Sequence, residues 1–206
     1  MTLPLPATGR IGIIAAMRDE LSAVLDRMPD EHKTRVAGRS FWRGHWHGRE
    51  VVAVLSRIGK VAAATTATAL IERFEVDAIV FTGVAGGLAD GVNVGDVVLA
   101  RSFLQHDMNA SPLFAQHEVP LYGKARFETD AALSDTLATA ARKVLAAPQA
   151  ALGAAAVAEF GLQAPRVHEG LILSGDRFVA TSAESEALRQ RLPDGLAVER
   201  EGAAVA

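Results

Sequence analysis

The sequence predicts an α/β fold: a single three-layer domain with a central mixed, largely parallel sheet flanked by helices. Three observations carry this. Short apolar runs alternate with segments of helical period along the chain. Most of those runs are continuously apolar, as in strands buried on both faces. No internal repeat or linker interrupts residues 11–206, and 206 residues suit one domain better than two.

The elements follow in order. Met1 to Arg10, broken by Pro4 and Pro6 and lacking a basic start, is a tail and not a signal peptide. Ile11 to Met17 is a buried strand feeding a helix with Leu21, Val24, Leu25 and Met28 at helical spacing. Phe41–Trp46 and Val51–Leu55 are strands of a hairpin around His47-Gly48-Arg49-Glu50. Gly59-Lys60 opens a helix with Val61, Ala64, Thr68 and Ile71 on one stripe. Asp77–Thr82 is a strand running into Gly83-Val-Ala-Gly-Gly87, and Asp96–Ala100 is another. Residues 102–128 have no clean period and read as a long loop with functional potential. Asp130 caps a helix with Leu133, Leu137, Ala141 and Val144 inward, ending before Pro148. The Ala-rich stretch 146–165 is helix or loose connection. Val167–Leu173 is a strand ending in Ser174-Gly-Asp176. Thr181-x-x-Glu184 is a capping box for a helix stopped by Pro193. Leu196–Glu199 is a last strand, and Glu201 begins a helix expected to last one turn.

Composition narrows the chemistry. Half the residues are apolar and 22% are charged, enough for a substantial core. A net charge of −3 gives no electrostatic reason to expect nucleic acid or an anionic membrane. With no cysteine there are no disulfides, thiolate metal sites or cysteine nucleophiles, which fits a reducing cytoplasm. No apolar run reaches the roughly 18–20 residues that span a bilayer. His45-x-His47 could set two imidazoles on one strand face, but without a third ligand it reads as a surface hairpin. Neither metal nor cofactor is expected.

In open α/β sheets ligands bind beyond the carboxyl ends of strands. Here those ends deliver Arg18-Asp19-Glu20, Thr82–Gly87, Ser174–Phe178 and Glu199–Glu201. Glycines, one aromatic ring and several carboxylates suit a flat, uncharged, hydroxyl-rich ligand better than a phosphate. Gly83-x-x-Gly86-Gly87 lacks the spacing of a dinucleotide fingerprint and the Lys-Ser/Thr of a P-loop. Spacing alone favours a tight turn. The functional alternative is that missing side chains let the backbone of Ala85 and Gly86 approach a planar base.

Six blocks recur in a familiar order: Ile11–Glu20, Ser56–Ala63, Thr82–Gly87, Val94-Gly-Asp96, Ser174–Phe178 and Ala197–Glu201. Together they resemble the nucleoside phosphorylase/nucleosidase superfamily, and its methylthioadenosine/adenosylhomocysteine nucleosidase branch in particular. The resemblance implies hydrolysis of the bond between adenine and a 5′-thio-substituted ribose. It makes Glu20 the water-activating carboxylate, although a glutamate in a first helical turn often only complements the helix dipole. It makes Glu201 the acceptor for the ribose hydroxyls, with Glu199 and Arg200 beside it. Phe178 becomes the ring stacked on the purine, where a lone Phe would otherwise read as core, and Val179 supplies backbone contacts to the base. His106-Asp107 resembles a loop reaching toward a neighbouring subunit's 5′-substituent pocket. A cytoplasmic homodimer with a small nucleoside as its partner is implied.

Departures from the pattern matter. The family's catalytic aspartate lies on a later strand, so no residue before Ala206 inherits that role, and the C-terminal strand and helix are expected to be missing. Val84 stands where a Ser or Thr is common, Arg200 where an apolar residue is usual, and Asn109 where an aspartate is common. Phe81 stands where phosphorylases of the superfamily tend to carry an arginine, which favours water over phosphate. Three functions therefore stand: a nucleoside hydrolase, a phosphorolytic relative, and a truncated, inactive nucleoside-binding chain.

Overall fold

The computed structural model describes residues 9–206; most of the expected N-terminal tail lies outside them. The chain divides into two compact units, each described by itself. Of the described residues, the first comprises residues 9–84 together with Ser174–Asp176 and Arg200–Ala206; the second comprises Ala85–Leu173 and Arg177–Glu199. Both are α/β, each with a mixed five-stranded sheet, so the strands fall in two sheets where one was expected.

The first unit contains β1 (Ile11–Ala15), α1 (Arg18–Leu25), β2 (His32–Val36), β3 (Arg39–Trp46), β4 (Arg49–Leu55), α2 (Lys60–Phe74) and β5 (Ala78–Phe81). The sheet order is β2-β3-β4-β1-β5. β1 runs parallel to both its neighbours, with Ile13 opposite Ala53 and Val80. That central position explains its unbroken apolar run, because both faces are covered. Ile13 and Ala15 pack with Leu21, Val24 and Met28 on one side. Ile14 packs with Phe41, Ala67, Leu70 and Phe74 on the other. Alternating side chains of one strand thus hold α1 and α2 on opposite faces. At Gly12 a Cβ would come within 3.0 Å of Leu70 Cδ1, so the missing side chain lets α2 approach the sheet.

Three details differ from the sequence reading. The β3–β4 turn is only His47-Gly48, both with positive φ (50° and 77°), the backbone of a two-residue hairpin. β2, which carries no apolar signature, is an exposed polar edge strand antiparallel to β3. On α2 the expected stripe is wrong. Val61 and Ile71 are exposed, and the buried face is Ala63, Thr66, Ala67, Leu70 and Phe74. In a helix this rich in Ala and Thr, two exposed branched residues mimic an inward stripe.

The second unit contains β6 (Gly86–Gly87), β7 (Val97–Gln105), β8 (Arg126–Glu128), α3 (Ala131–Leu145), α4 (Pro148–Leu152), α5 (Ala154–Glu159), β9 (Val167–Ser174, whose last residue belongs to the first unit), α6 (Ser182–Arg191) and β10 (Gly195–Glu199). The sheet order is β6-β10-β9-β7-β8. Leu88, Leu104, Leu171, Leu173, Leu188, Leu192 and Val198 form its core. Both predicted caps are made: Leu133 N–H donates to Asp130 Oδ1 at 2.7 Å, and Thr181 with Glu184 forms a reciprocal box. β7 extends to Gln105 and β8 forms at 126–128, so the loop is shorter than expected. On α3 the buried residues are Ser134 and Ala138. Leu133, Leu137 and Ala141 flank them half-buried, while Val144 is exposed. The Ala-rich stretch forms the short helices α4 and α5.

Candidate active site

β1, β4 and β5 are mutually parallel through β1, with Ala15 level with Leu55 and Ile14 level with Phe81. Their carboxyl ends therefore emerge at one edge of the first unit. Ser56 N–H donates to Ala15 O and Thr82 N–H to Ile14 O, both at 2.9 Å, extending the pairing to where each strand turns away. Glu20, Ser56–Lys60 and Gly83-Val84 all begin at that edge.

Glu20 is the third residue of α1 and folds back over the helix start. Its Oε2 accepts from Met17 N–H at 2.8 Å and Ala16 N–H at 3.0 Å, and its Oε1 accepts from Val84 N–H at 2.9 Å. Three backbone donors from two strand ends fix both oxygens. The bonds that cap the helix start therefore also hold the carboxylate at the strand ends. A Cβ on Gly83 would lie 3.1–3.4 Å from all three atoms of that carboxylate, so any side chain there would press it back by a few tenths of an ångström.

Glu201 is 5% exposed, and its Oε1 accepts from Gly59 N–H at 2.7 Å. Gly59 can offer that N–H because it holds φ at 101° just before α2. Burial pushes the Glu201 carboxyl above the usual range. The Gly59 and Arg200 N–H groups and the Arg200 charge pull it back, while the Glu20 charge pushes the same way as burial. The helix expected to last one turn from Glu201 is a single 3-10 turn over Gly202–Ala204, pinned where Ala203 N–H donates to buried Ser174 Oγ at 2.8 Å.

Asp176 completes the cluster. Its Oδ1 accepts from Lys60 N–H at 2.9 Å, its Oδ2 lies 3.8 Å from Lys60 Nζ, and its carbonyl accepts from Arg200 Nη2 at 2.7 Å. The sequence reading quoted Gly59, Lys60 and Asp176 within motifs without singling them out. An acid two residues past a strand-end Ser, and a Gly-Lys at a helix start, were the available signals.

The remaining candidates lie in the second unit. Gly86 and Gly87 form β6, antiparallel to β10 with Val198 and Ala197 opposite; Ala85 just precedes it and is exposed. Phe178 is 70% exposed, so it is not a core residue. Val179 packs beside the leucine core and helps line, with Gly87, Thr181, Ser185 and Arg189, a cleft of about 550 Å³. Glu199 ends β10, half-buried. His106 is buried at the start of the long loop and Asp107 is exposed. Asp96 of the Val94-Gly-Asp96 block accepts from Arg166 N–H at 2.7 Å, Asn93 N–H at 2.9 Å and the His168 ring at 2.9 Å. That block ties β9 to β7.

His45, back in the first unit, bonds Asp30 through its ring at 2.6 Å and its N–H at 2.8 Å. Among the described residues no group of three His, Asp or Glu is placed to hold a metal. No helix among them is long and apolar enough to cross a membrane.

Comparison identifies the class: residues 10–206 match the phosphorylase superfamily, to which the chain belongs. The 5′-methylthioadenosine/S-adenosylhomocysteine nucleosidases of Shewanella sediminis and Chromohalobacter salexigens are 34% and 36% identical to it. The alignments cover 96% of this chain and 78% and 76% of theirs. The crystal structure of the Neisseria meningitidis nucleosidase with methylthio-immucillin-A aligns with a TM-score of 0.83 at 33% identity, covering 96% of this chain and 78% of that one. The Colwellia psychrerythraea nucleosidase in complex with adenine gives 0.80 at 33%, covering 96% and 75%. Within the superfamily the chain sits in this nucleosidase branch.

Proposed function

We propose that the chain hydrolyses the N-glycosidic bond of 5′-methylthioadenosine and S-adenosylhomocysteine, releasing adenine. The observation that carries the reading is Glu20, a carboxylate held by three backbone N–H groups at the strand ends, in the same unit as the buried acceptor Glu201.

Glu20 orients a water and takes its proton as the water oxygen bonds to the anomeric carbon. The carbon–nitrogen bond breaks, and the base leaves with the electron pair and takes a proton from solvent, to which Glu20 returns its own. Glu201 accepts hydrogen bonds from the ribose hydroxyls; two carboxylate oxygens suit two vicinal donors. Phe178 stacks on adenine, and the backbone of Ala85, Gly86 and Val179 meets the edge of the base. Glu199 and Arg200 flank the sugar. Two carboxylates at the strand ends repel a phosphate nucleophile, which favours water. The chain works in the cytoplasm as a homodimer, with the loop at His106-Asp107 reaching the neighbour's 5′-substituent.

The test is adenine release from methylthioadenosine in phosphate-free buffer. Steady release supports hydrolysis, and strict dependence on added phosphate refutes it.

A further inference from the structure

α2 begins without a cap of its own. Its N-cap is Gly59, which has no side chain to offer, and no acidic residue stands in its first turn. Two carboxylates from far along the chain take the orphan donors instead. Asp176 Oδ1 accepts from Lys60 N–H at 2.9 Å, and Glu201 Oε1 accepts from Gly59 N–H at 2.7 Å. The fit is close, since a Cβ on Gly59 would lie 3.1 Å from Asp176 Oδ1. The turn that carries Asp176 also grips both flanks of Glu201. The Asp176 carbonyl accepts from Arg200 Nη2 at 2.7 Å before it, and Ser174 Oγ accepts from Ala203 N–H at 2.8 Å after it.

We infer that Asp176 is a positioning residue: by holding the Lys60 amide it keeps the Gly59 N–H on Glu201, and so fixes the orientation of that carboxylate. Gly59, at φ 101°, belongs to the residue type that turns most freely. A bond on the next amide is what keeps its own N–H aimed. The consequence for substrate rests on the reading of Glu201 as the sugar acceptor. An aspartate that only capped the helix would stabilise α2 and leave Glu201 as it is.

The titration of Glu201 separates the two roles. It is followed by carbon NMR of protein labelled at the glutamate carboxyls and assigned by difference from Glu201→Gln. Burial pushes the Glu201 carboxyl up and the Glu20 charge adds to it; the Gly59 N–H pulls it down, as do the Arg200 N–H and charge. Asp176→Ala frees the Gly59 amide, so the midpoint rises. Loss of a neighbouring negative charge alone would lower it, which makes the sign decisive. Asp176→Asn keeps an oxygen for the Lys60 N–H and does not raise the midpoint. Asp176→Ser, too short to reach that N–H, repeats the test with a polar side chain should the alanine variant fold poorly.

The second readout is equilibrium binding of the C-nucleoside analogue of adenosine, which resists hydrolysis. Asp176→Ala weakens it about tenfold, the effect of misaligning one hydrogen bond to a charged group, and Asp176→Asn recovers most of that loss. A Glu201 midpoint that stays put or falls in the alanine and serine variants overturns the inference, whatever the ligand does. A rise in the asparagine variant as large as in alanine overturns it as well. A wild type that binds no nucleoside, with the midpoints moving as stated, refutes the proposed function and leaves Asp176 as the residue that positions Glu201.

Discussion

Replacing Glu20 separates chemistry from folding. Glu20→Gln keeps one carbonyl oxygen, enough to accept from Ala16 and Met17, and forfeits the acceptor facing Val84. Val84 is exposed, so water can take that N–H and the cost to folding is below about 1 kcal/mol. Glu20→Ala removes both oxygens. Ala16 is only 8% exposed, so its N–H is left buried without an acceptor, at a cost of about 1–3 kcal/mol. If Glu20 activates water, both variants lose hydrolysis by about 10²–10⁴-fold, because an amide and a methyl are equally poor bases. Denaturant melts read the first quantity, and adenine release at saturating substrate reads the second. Glu20→Gln folding normally and keeping full turnover would refute the assignment. Equal destabilisation by the two variants would refute the hydrogen-bond reasoning.

Other perturbations test other parts. Gly83→Ala sets a methyl within 3.1–3.4 Å of the Glu20 carboxylate and displaces it; turnover falls at least tenfold while the melting midpoint moves little. Burial raises the Glu201 carboxyl above its unfolded value of 4.5, so its contribution to stability is present below that pH and fades as pH rises through the folded value. Glu201→Gln therefore flattens the stability–pH curve above 4.5, and an unchanged curve would contradict the burial argument. For Asp96 the sign reverses. Burial alone would raise it, but the Asn93 and Arg166 N–H groups and His168 hold it below 3.8. Its stabilisation is present above that pH and is lost on acidification, and Asp96→Ala, which removes the charged acceptor of these bonds, costs about 1–3 kcal/mol by urea titration. On α2, Leu70→Ala costs about 2–5 kcal/mol, whereas Val61→Ala and Ile71→Ala each cost under about 1.

How far the sequence could be read follows from what each residue packs against. β1, β4 and β5 were legible because strands covered on both faces, or nearly so, are apolar throughout. β2 was not, because an edge strand with both faces wet keeps residues such as His32, Lys33 and Arg35 that look like loop. The face of α2 was misjudged because alanine and threonine carry little contrast, leaving Val61 and Ile71 as the loudest apolar signal on the wrong side. Glu20 and Glu201 could be singled out only through the resemblance. The bond that fixes Glu201 comes from Gly59, 142 positions away, and no local pattern announces it. The Nε of Arg200, unpartnered among the described residues, was equally invisible, since no sequence pattern reports which donor a fold buries without an acceptor.

The account turns on which nucleophile attacks the sugar. Proton and phosphorus NMR of the products formed from methylthioadenosine in phosphate buffer answers that directly. The account predicts adenine and free 5-methylthioribose with no phosphorus signal beyond the buffer. A sugar 1-phosphate, or the absence of any adenine, would contradict it.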